Sequence, residues 1–257
     1  MLLAIDIGNT HTVIGLFQDS NLTQHWRLRT DRQVTADELA ATLQGLFAIR
    51  GLALNAVSGV VIASVVPTLG MPLRQFCANY LDLAPVFVTG ELTHTMAIHC
   101  DHPGEVGADR IVNGLAAREK YGFPAIIVDF GTAITFDCID ASGSYIGGAI
   151  IPGMAIALDA LSTRTAKLPR IDISTPPRRA IGTNTEDAIR AGMLFGYGGM
   201  IEEILRRIQT ELAVPARAII ATGGMAGLIA PYAPSIAAVD PMLTLEGIRI
   251  FHEQLPG

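Results

Sequence analysis

The chain has 257 residues, half of them hydrophobic and only 16% charged, with a net charge of −6. That length and apolar share supply one large buried core or two smaller ones and exclude a disordered or fibrous chain. The acidic balance and the lack of any Lys/Arg-rich run argue against a nucleic-acid partner. Cys77, Cys100 and Cys138 are odd in number and form no C-x-x-C pair, so no disulfide framework is expected. Met1 to Asp6 meets an acid at once and lacks a basic leader, and no apolar run reaches ~18 residues. A cytoplasmic chain with no membrane partner is the expectation.

In chain order, Leu2–Ile7 and Thr12–Phe17 read as strands joined by the turn Gly8-Asn9-Thr10-His11. Thr35-Ala-Asp-Glu38 predicts a capping box. Leu39, Leu43, Leu46 and Phe47 follow at helical spacing, and Gly51 is placed to end that helix. Val57–Val66 predicts a buried strand, and Pro67 opens a helix reaching about Leu81. Pro85–Val88 and Thr95–His99 read as strands. Gly104–Tyr121 carries Val106, Ile111, Val112 and Leu115 on one face and reads as a helix closed by Gly122.

The opening pattern then returns. Ala125 to Asp129 is a strand ending in an acid, followed by Gly131-Thr132 and a strand over Ala133–Ile139. Against Asp6 and Gly8 the offset is 129 − 6 = 123 residues, close to half the chain. The duplication predicts two similar α/β domains, 1–121 and 122–257, with a ligand cleft between them. A strand around Gly147-Gly148, a helix from about Asn184 to Leu212, a strand over Arg217–Thr222 and a last helix over Pro241–Gln254 complete the reading. Thr183-x-x-Glu186 predicts a capping box, with Thr185 in the first helical turn. Gly196, Gly198 and Gly199 lie inside that helix and read as close helix packing, not as a dinucleotide fingerprint.

An acid at a strand end beside a Gly-Thr turn suits nucleotide chemistry. Glycine admits a phosphate close to the backbone, successive N–H groups form an anion nest, and Asp holds Mg²⁺ against the phosphates. Ordinary hairpin turns use the same residues; the repeat of the arrangement favours the phosphate reading. No G-x-x-x-x-G-K-[ST] loop and no protein-kinase motif set occurs. His99-Cys100-Asp101-His102 contains metal-ligating residue types, but neighbours on a strand point to opposite faces and do not converge on a zinc ion.

Several blocks occur in a fixed order: Asp6-Ile-Gly-Asn-Thr10, Val106-Gly-Ala-Asp-Arg110, Val128-Asp-Phe-Gly-Thr-Ala133 and Gly147-Gly-x-Ile-x-Pro-Gly153. Leu161-Ser-Thr-x-Thr-Ala-x-Leu-Pro169, Ile181-Gly-x-Asn-Thr185 and Thr222-Gly-Gly224 follow. Together they resemble type III pantothenate kinases, of the actin-like ATPase and acetate and sugar kinase superfamily. The resemblance implies two actin-like, ribonuclease-H-like domains and ATP-dependent phosphorylation of pantothenate, the first step towards coenzyme A.

It also implies roles. Asp6, Ile7, Gly8, Asn9, Thr10, His11, Thr12 and Val13 form the first phosphate loop, with Asp6 at Mg²⁺. Thr132, Gly223 and Gly224 contact ATP. Asp129 holds a monovalent cation, K⁺ or NH₄⁺. Gly107, Ala108, Asp109 and Arg110 bind pantothenate, with Asp109 as catalytic base. Cys100 and Thr185 belong to the substrate pocket, and a homodimer completes it, its interface reaching the helix after Gly104. At Cys100 and His102 the family usually carries Tyr and Asn, so the pocket wall differs there. Taken alone, Asp109 and Arg110 would be surface helix residues. Position at a helix start predicts that Asp109 stays ionised. A superfamily ATP or polyphosphate hydrolase and a non-catalytic regulatory protein are the alternatives.

Overall fold

The structure is a computed structural model describing residues 1–90 and 96–255. Packing divides the chain into two compact units. One is Met1–Met96 with Asp101–Ala116 and Thr244–Gly257; the other is Ala97–Cys100 with Ala117–Leu243.

In the first unit, β1 (Leu2–Ile7), β2 (His11–Gln18) and β3 (Asn21–Arg29) form an antiparallel meander. β4 (Gly59–Ser64) adds in parallel to β1, and β5 (Val86–Phe87) adds in parallel to β4. The order is β3-β2-β1-β4-β5. Helix α1 (Ala36–Ile49) starts at the predicted capping box, with Thr35 accepting from Glu38 N, and Gly51 follows its end at φ +68°. α2 (Gly70–Phe76) is flanked by a 3₁₀ turn at Pro67–Leu69 and a π turn at Cys77–Leu81, so the predicted helix exists in three registers. Leu3, Ile5, Ile7, Ile14 and Leu16 share one sheet face and pack with Leu43, Phe47, Leu73 and Phe76 of these helices. The alternation of a strand is what sends Asp6 to the opposite face.

In the second unit, β6 (Ala125–Phe130), β7 (Ala133–Ile139) and β8 (Tyr145–Pro152) form the same meander. β9 (Ala218–Thr222) joins β6 in parallel and β10 (Ala238–Val239) joins β9 in parallel. The order β8-β7-β6-β9-β10 repeats that of the first sheet strand for strand. This is the α/β duplication expected from the 123-residue offset. Helices α4 (Met154–Arg164) and α5 (Thr185–Glu211) follow in this unit, α5 burying Leu194, Ile201 and Leu205 against Val128, Phe130 and Phe136. The short helix α6 (Ala226–Ile229) follows β9.

α3 (Ala108–Tyr121) and α7 (Leu243–Glu253) complete the chain. The division into units falls inside α3 and at the start of α7, whereas the duplicated pattern suggests one cut at 121/122. α7 joins the first unit because its side chains pack there: a Cβ on Gly15 of β2 would lie 2.9 Å from Leu245 Cδ1. Gly247 lets α7 approach the Val112 carbonyl of α3, and Thr244 Oγ1 donates to buried Asn113 Oδ1 at 2.8 Å. In the second unit, buried Asp240 accepts from Lys120 Nζ at 2.5 Å and Tyr121 Oη at 3.0 Å. Burial and the Asp240 hydrogen bond push the Tyr121 hydroxyl up to about 12.

Four local expectations are corrected. The N-cap of α5 is Asn184, whose side chain accepts from Asp187 N, not Thr183, because the helix begins one residue later. Only Gly198 makes a close packing contact, against Tyr232; Gly196 and Gly199 face open space. At Thr95–His99, Thr95 lies outside the described residues and Ile98 makes only an isolated bridge to Tyr145. The helix expected from Gly104 begins at Ala108, after a 3₁₀ turn at Pro103–Glu105. β3, β10, α4 and α6 were not anticipated. No described helix is long and apolar enough to cross a membrane.

Candidate functional site

Within the first unit, Asp6 sits near the end of β1, half-buried, on the face opposite the core. The turn after it closes with Gly8 N donating to His11 O at 3.0 Å. A Cβ on Gly8 would lie 3.2 Å from that carbonyl, tighter than ordinary contact. Asn9, Thr10 and His11 are exposed at the turn. Thr12 and Val13 are half-buried, and Val13 is the register partner of Asp6. Ile7 is part of the core, so only its main chain can serve a ligand.

The end of β3, which sequence reading missed, clasps this turn. Thr30 Oγ1 donates to Gly8 O at 2.7 Å and lies 3.0 Å from Thr12 Oγ1, while Thr30 N donates to Thr10 O at 3.0 Å. Arg32 Nη2 donates to Asn9 Oδ1 at 2.9 Å. Arg27 Nη2 lies 3.0 Å from His11 Nδ1. Arginine can only donate, so Nδ1 accepts and the imidazole is neutral. Partial burial and then the Arg27 charge lower the His11 pKa. The signal was present in Leu22, Gln24, Trp26 and Leu28, which alternate with exposed residues in the period of a strand.

The Gly107–Arg110 block stands beside the same strand end. Val65 N donates to Ile7 O at 3.0 Å, and a Cβ on Gly107 would lie 3.6 Å from Val65 Cγ1. That Cβ would also sit 2.5 Å from Asp109 Oδ1, so the lack of a side chain at 107 lets the carboxylate fold back. Asp109 Oδ1 accepts from Arg110 N at 2.8 Å at the first turn of α3. Ala108 is buried and Arg110 is half-buried. Burial raises the Asp109 pKa above its ordinary value, against the lowering effect of the Arg110 amide and the Arg110 charge. The helix start alone predicts a more strongly ionised acid; desolvation outweighs it here.

Within the second unit, Asp129 occupies the place of Asp6, facing Thr135 on β7 and Thr222 on β9 in register. Gly131 N donates to Ala133 O at 3.1 Å, the counterpart of the Gly8–His11 closure. Thr132 is half-buried, and its carbonyl accepts from Gly153 N at 3.1 Å. Gly153 thus clasps the second turn from the end of the third strand as Thr30 clasps the first, and 153 − 30 = 123 repeats the sequence offset. Gly223 has φ +88°, and a Cβ there would press on Asp129 Oδ1 and lie 2.7 Å from the Phe130 backbone. Gly224 is exposed beside it. Further along the face of Asp129, fully buried Asp137 accepts from Tyr145 Oη at 2.8 Å and Thr135 Oγ1 at 3.0 Å.

Cys100 is half-buried, with its sulfur 3.9 Å from where Gly147 would carry a Cβ. Thr185 is exposed at the first position of α5. Among the described residues no three His, Cys, Asp or Glu side chains gather as a metal site. The donors near Asp6 and Asp129 are hard oxygens, which suits a cation completed by phosphate oxygens and water.

The model of the type III pantothenate kinase family matches residues 2–207. The chain belongs to that family. A type III pantothenate kinase of Moorella thermoacetica is 51% identical over 99% of both chains. One of Anaeromyxobacter dehalogenans is 49% identical, again over 99% of each. A solved structure with the same fold is the activator of the 2-hydroxyisocaproyl-CoA dehydratase from Clostridium difficile, with bound ADPNP. It aligns at TM-score 0.58 and 13% identity, over 98% of this chain and 94% of that one. The family match runs from the start of β1 through the first Asp–Gly turn, α3 and the second turn, and ends within α5.

Proposed function

We propose that the chain phosphorylates pantothenate with ATP in coenzyme A biosynthesis, using the two Asp–Gly turns for phosphate and Asp109 as base. The observation that carries this reading is the repetition of the Asp–Gly turn at the same strand end of two sheets of identical order, in a member of this family. Phosphoryl transfer needs in-line positioning and neutralisation of the equatorial oxygens. Backbone N–H groups of the two turns other than those of Gly8 and Gly131, which close the turns themselves, would supply part of that neutralisation.

Asp6 would hold Mg²⁺ together with phosphate oxygens, and Asp129 a K⁺ or NH₄⁺ ion. Such cations supply charge compensation for the phosphates when bound. The alcohol of pantothenate attacks the terminal phosphorus, its proton passes to Asp109, and ADP leaves. A carboxylate whose pKa burial has raised is a stronger proton acceptor near neutral pH than an ordinary one. Arg110, Gly107 and Ala108 hold the substrate beside it, with Cys100 and Thr185 as pocket wall. Gly223, Gly224 and Thr132 hold the nucleotide.

The working form is a homodimer. α3 is buried within its own chain from Ile111 to Ala117, so it offers no free apolar face over that stretch. Exposed Ile146 and Ile150 on β8, Ile156 on α4 and Ile181 are the apolar surface a second copy would cover. A coupled ADP-release assay with and without pantothenate tests the function. Turnover that requires pantothenate is the expected result; turnover indifferent to it would mean a hydrolase.

A further inference from the structure

The chain contains only two lysines, Lys120 and Lys167, and neither belongs to the first phosphate turn. A triphosphate held there needs positive charge from another source. Two arginines stand at that turn. The register pairs Asp6 with Val13 and Val13 with Arg27, so Arg27 shares the face and the cross-strand row of Asp6. Strands lie ~4.8 Å apart, which puts its Cα about 10 Å from that of Asp6, within reach of a long side chain.

Its guanidinium already extends over the turn, bonded to His11 Nδ1 at 3.0 Å. Arg32 reaches the same turn two residues earlier, bonded to Asn9 Oδ1 at 2.9 Å. Both arginines are exposed, and among the described residues neither forms a salt bridge. Their partners are a neutral imidazole and an amide, which leave both positive charges uncompensated. A guanidinium whose fork is only partly used keeps donors for a phosphate.

We propose that Arg27 and Arg32 bind the phosphate chain of the donor, holding it over the first turn at His11 and at Asn9. The assignment rests on the kinase reading above. Asn9 and His11 act in it as rests that keep the guanidinium groups pre-ordered, so that little side-chain entropy is lost when phosphate arrives. Arg29, opposite His11 in register, adds to the same positive face.

The test uses the full chain with Arg27→Gln and Arg32→Gln, and Arg50→Gln as a control at the exposed end of α1. Wild-type ADP release that depends on pantothenate first establishes the kinase reading; its absence would sink that reading by itself. Binding of inorganic tripolyphosphate and of adenosine, measured by calorimetry, then tests the arginines without any catalysis. Each variant is expected to weaken tripolyphosphate binding and raise KM for ATP about tenfold, the value of one charge-assisted hydrogen bond. Adenosine binding and KM for pantothenate should stay within about twofold. Unchanged tripolyphosphate affinity in both variants overturns the proposal. So does a loss of kcat at constant KM for ATP, which would make the arginines braces of the turn alone.

Discussion

Gly223→Ala tests how closely the second turn is built. Gly223 stands at φ +88°, directly after β9, with Asp129 Oδ1 and the Phe130 backbone where its Cβ would be. A left-handed backbone costs a residue with a side chain about 1–2 kcal/mol. Forcing an extra methyl into a filled space costs about 1–3 kcal/mol more. Reduced freedom of the unfolded chain returns about 0.4–1 kcal/mol. The net loss is therefore about 1–4.5 kcal/mol, a fall in Tm of about 2–18 °C for a chain of this size. The methyl also displaces the Asp129 carboxylate, so turnover should drop beyond what the stability loss explains, measured at a temperature where the variant is folded. Gly45→Ala is the contrast. Gly45 lies inside α1 with nothing within 4 Å of its Cβ position, and the change should stabilise by about 0.5–1 kcal/mol. Scanning calorimetry and ADP-release kinetics on both variants decide the matter. A Gly223→Ala protein with wild-type Tm and wild-type rate would refute the crowding argument.

Asp109→Asn should lower kcat by roughly 10²-fold or more, the scale of lost proton acceptance. Its Tm at neutral pH should be no lower than wild type. The folded pKa of Asp109 is raised by burial, so its charge opposes folding as pH rises through that value, and the amide removes the penalty. For the same reason the acid limb of wild-type kcat should lie above the ordinary carboxylate range; a limb at the ordinary value would count against Asp109 as base. Asp6→Asn should fold normally yet lose most turnover, and a near-normal rate would reduce the first turn to a plain hairpin. Replacing sodium with potassium or ammonium at matched ionic strength should raise the rate, whereas equal rates would remove the cation at Asp129. Ile150→Asp should convert a dimer into a monomer in sedimentation, and a wild-type monomer at micromolar concentration would contradict the dimer itself.

Local patterning made much of the fold legible. The Thr35–Glu38 capping box, the glycines after α1 and α3, and the aliphatic strands β1, β2, β4, β6, β7 and β9 are set by short-range chemistry that neighbouring residues express together. The duplication was legible because an acid, a glycine and a strand recur at one offset. β3 escaped notice because its polar face dominates a sequence such as Thr23-Gln-His-Trp-Arg27, and its apolar face is narrow. Placing α7 on the first unit depended on Gly247 and Gly15, small residues whose purpose is visible only when the partner helix or side chain is in place. The site divides the same way. Which acids end the paired strands and which glycines follow them was readable from the chain alone, since turn chemistry is local. Tertiary structure alone decided that Thr30, Arg27 and Arg32 stand at the first turn, that Gly153 clasps the second, and that burial overrides the helix start at Asp109. Those outcomes depend on strand register and on exclusion of water, and both arise only when residues distant in the chain are brought into contact.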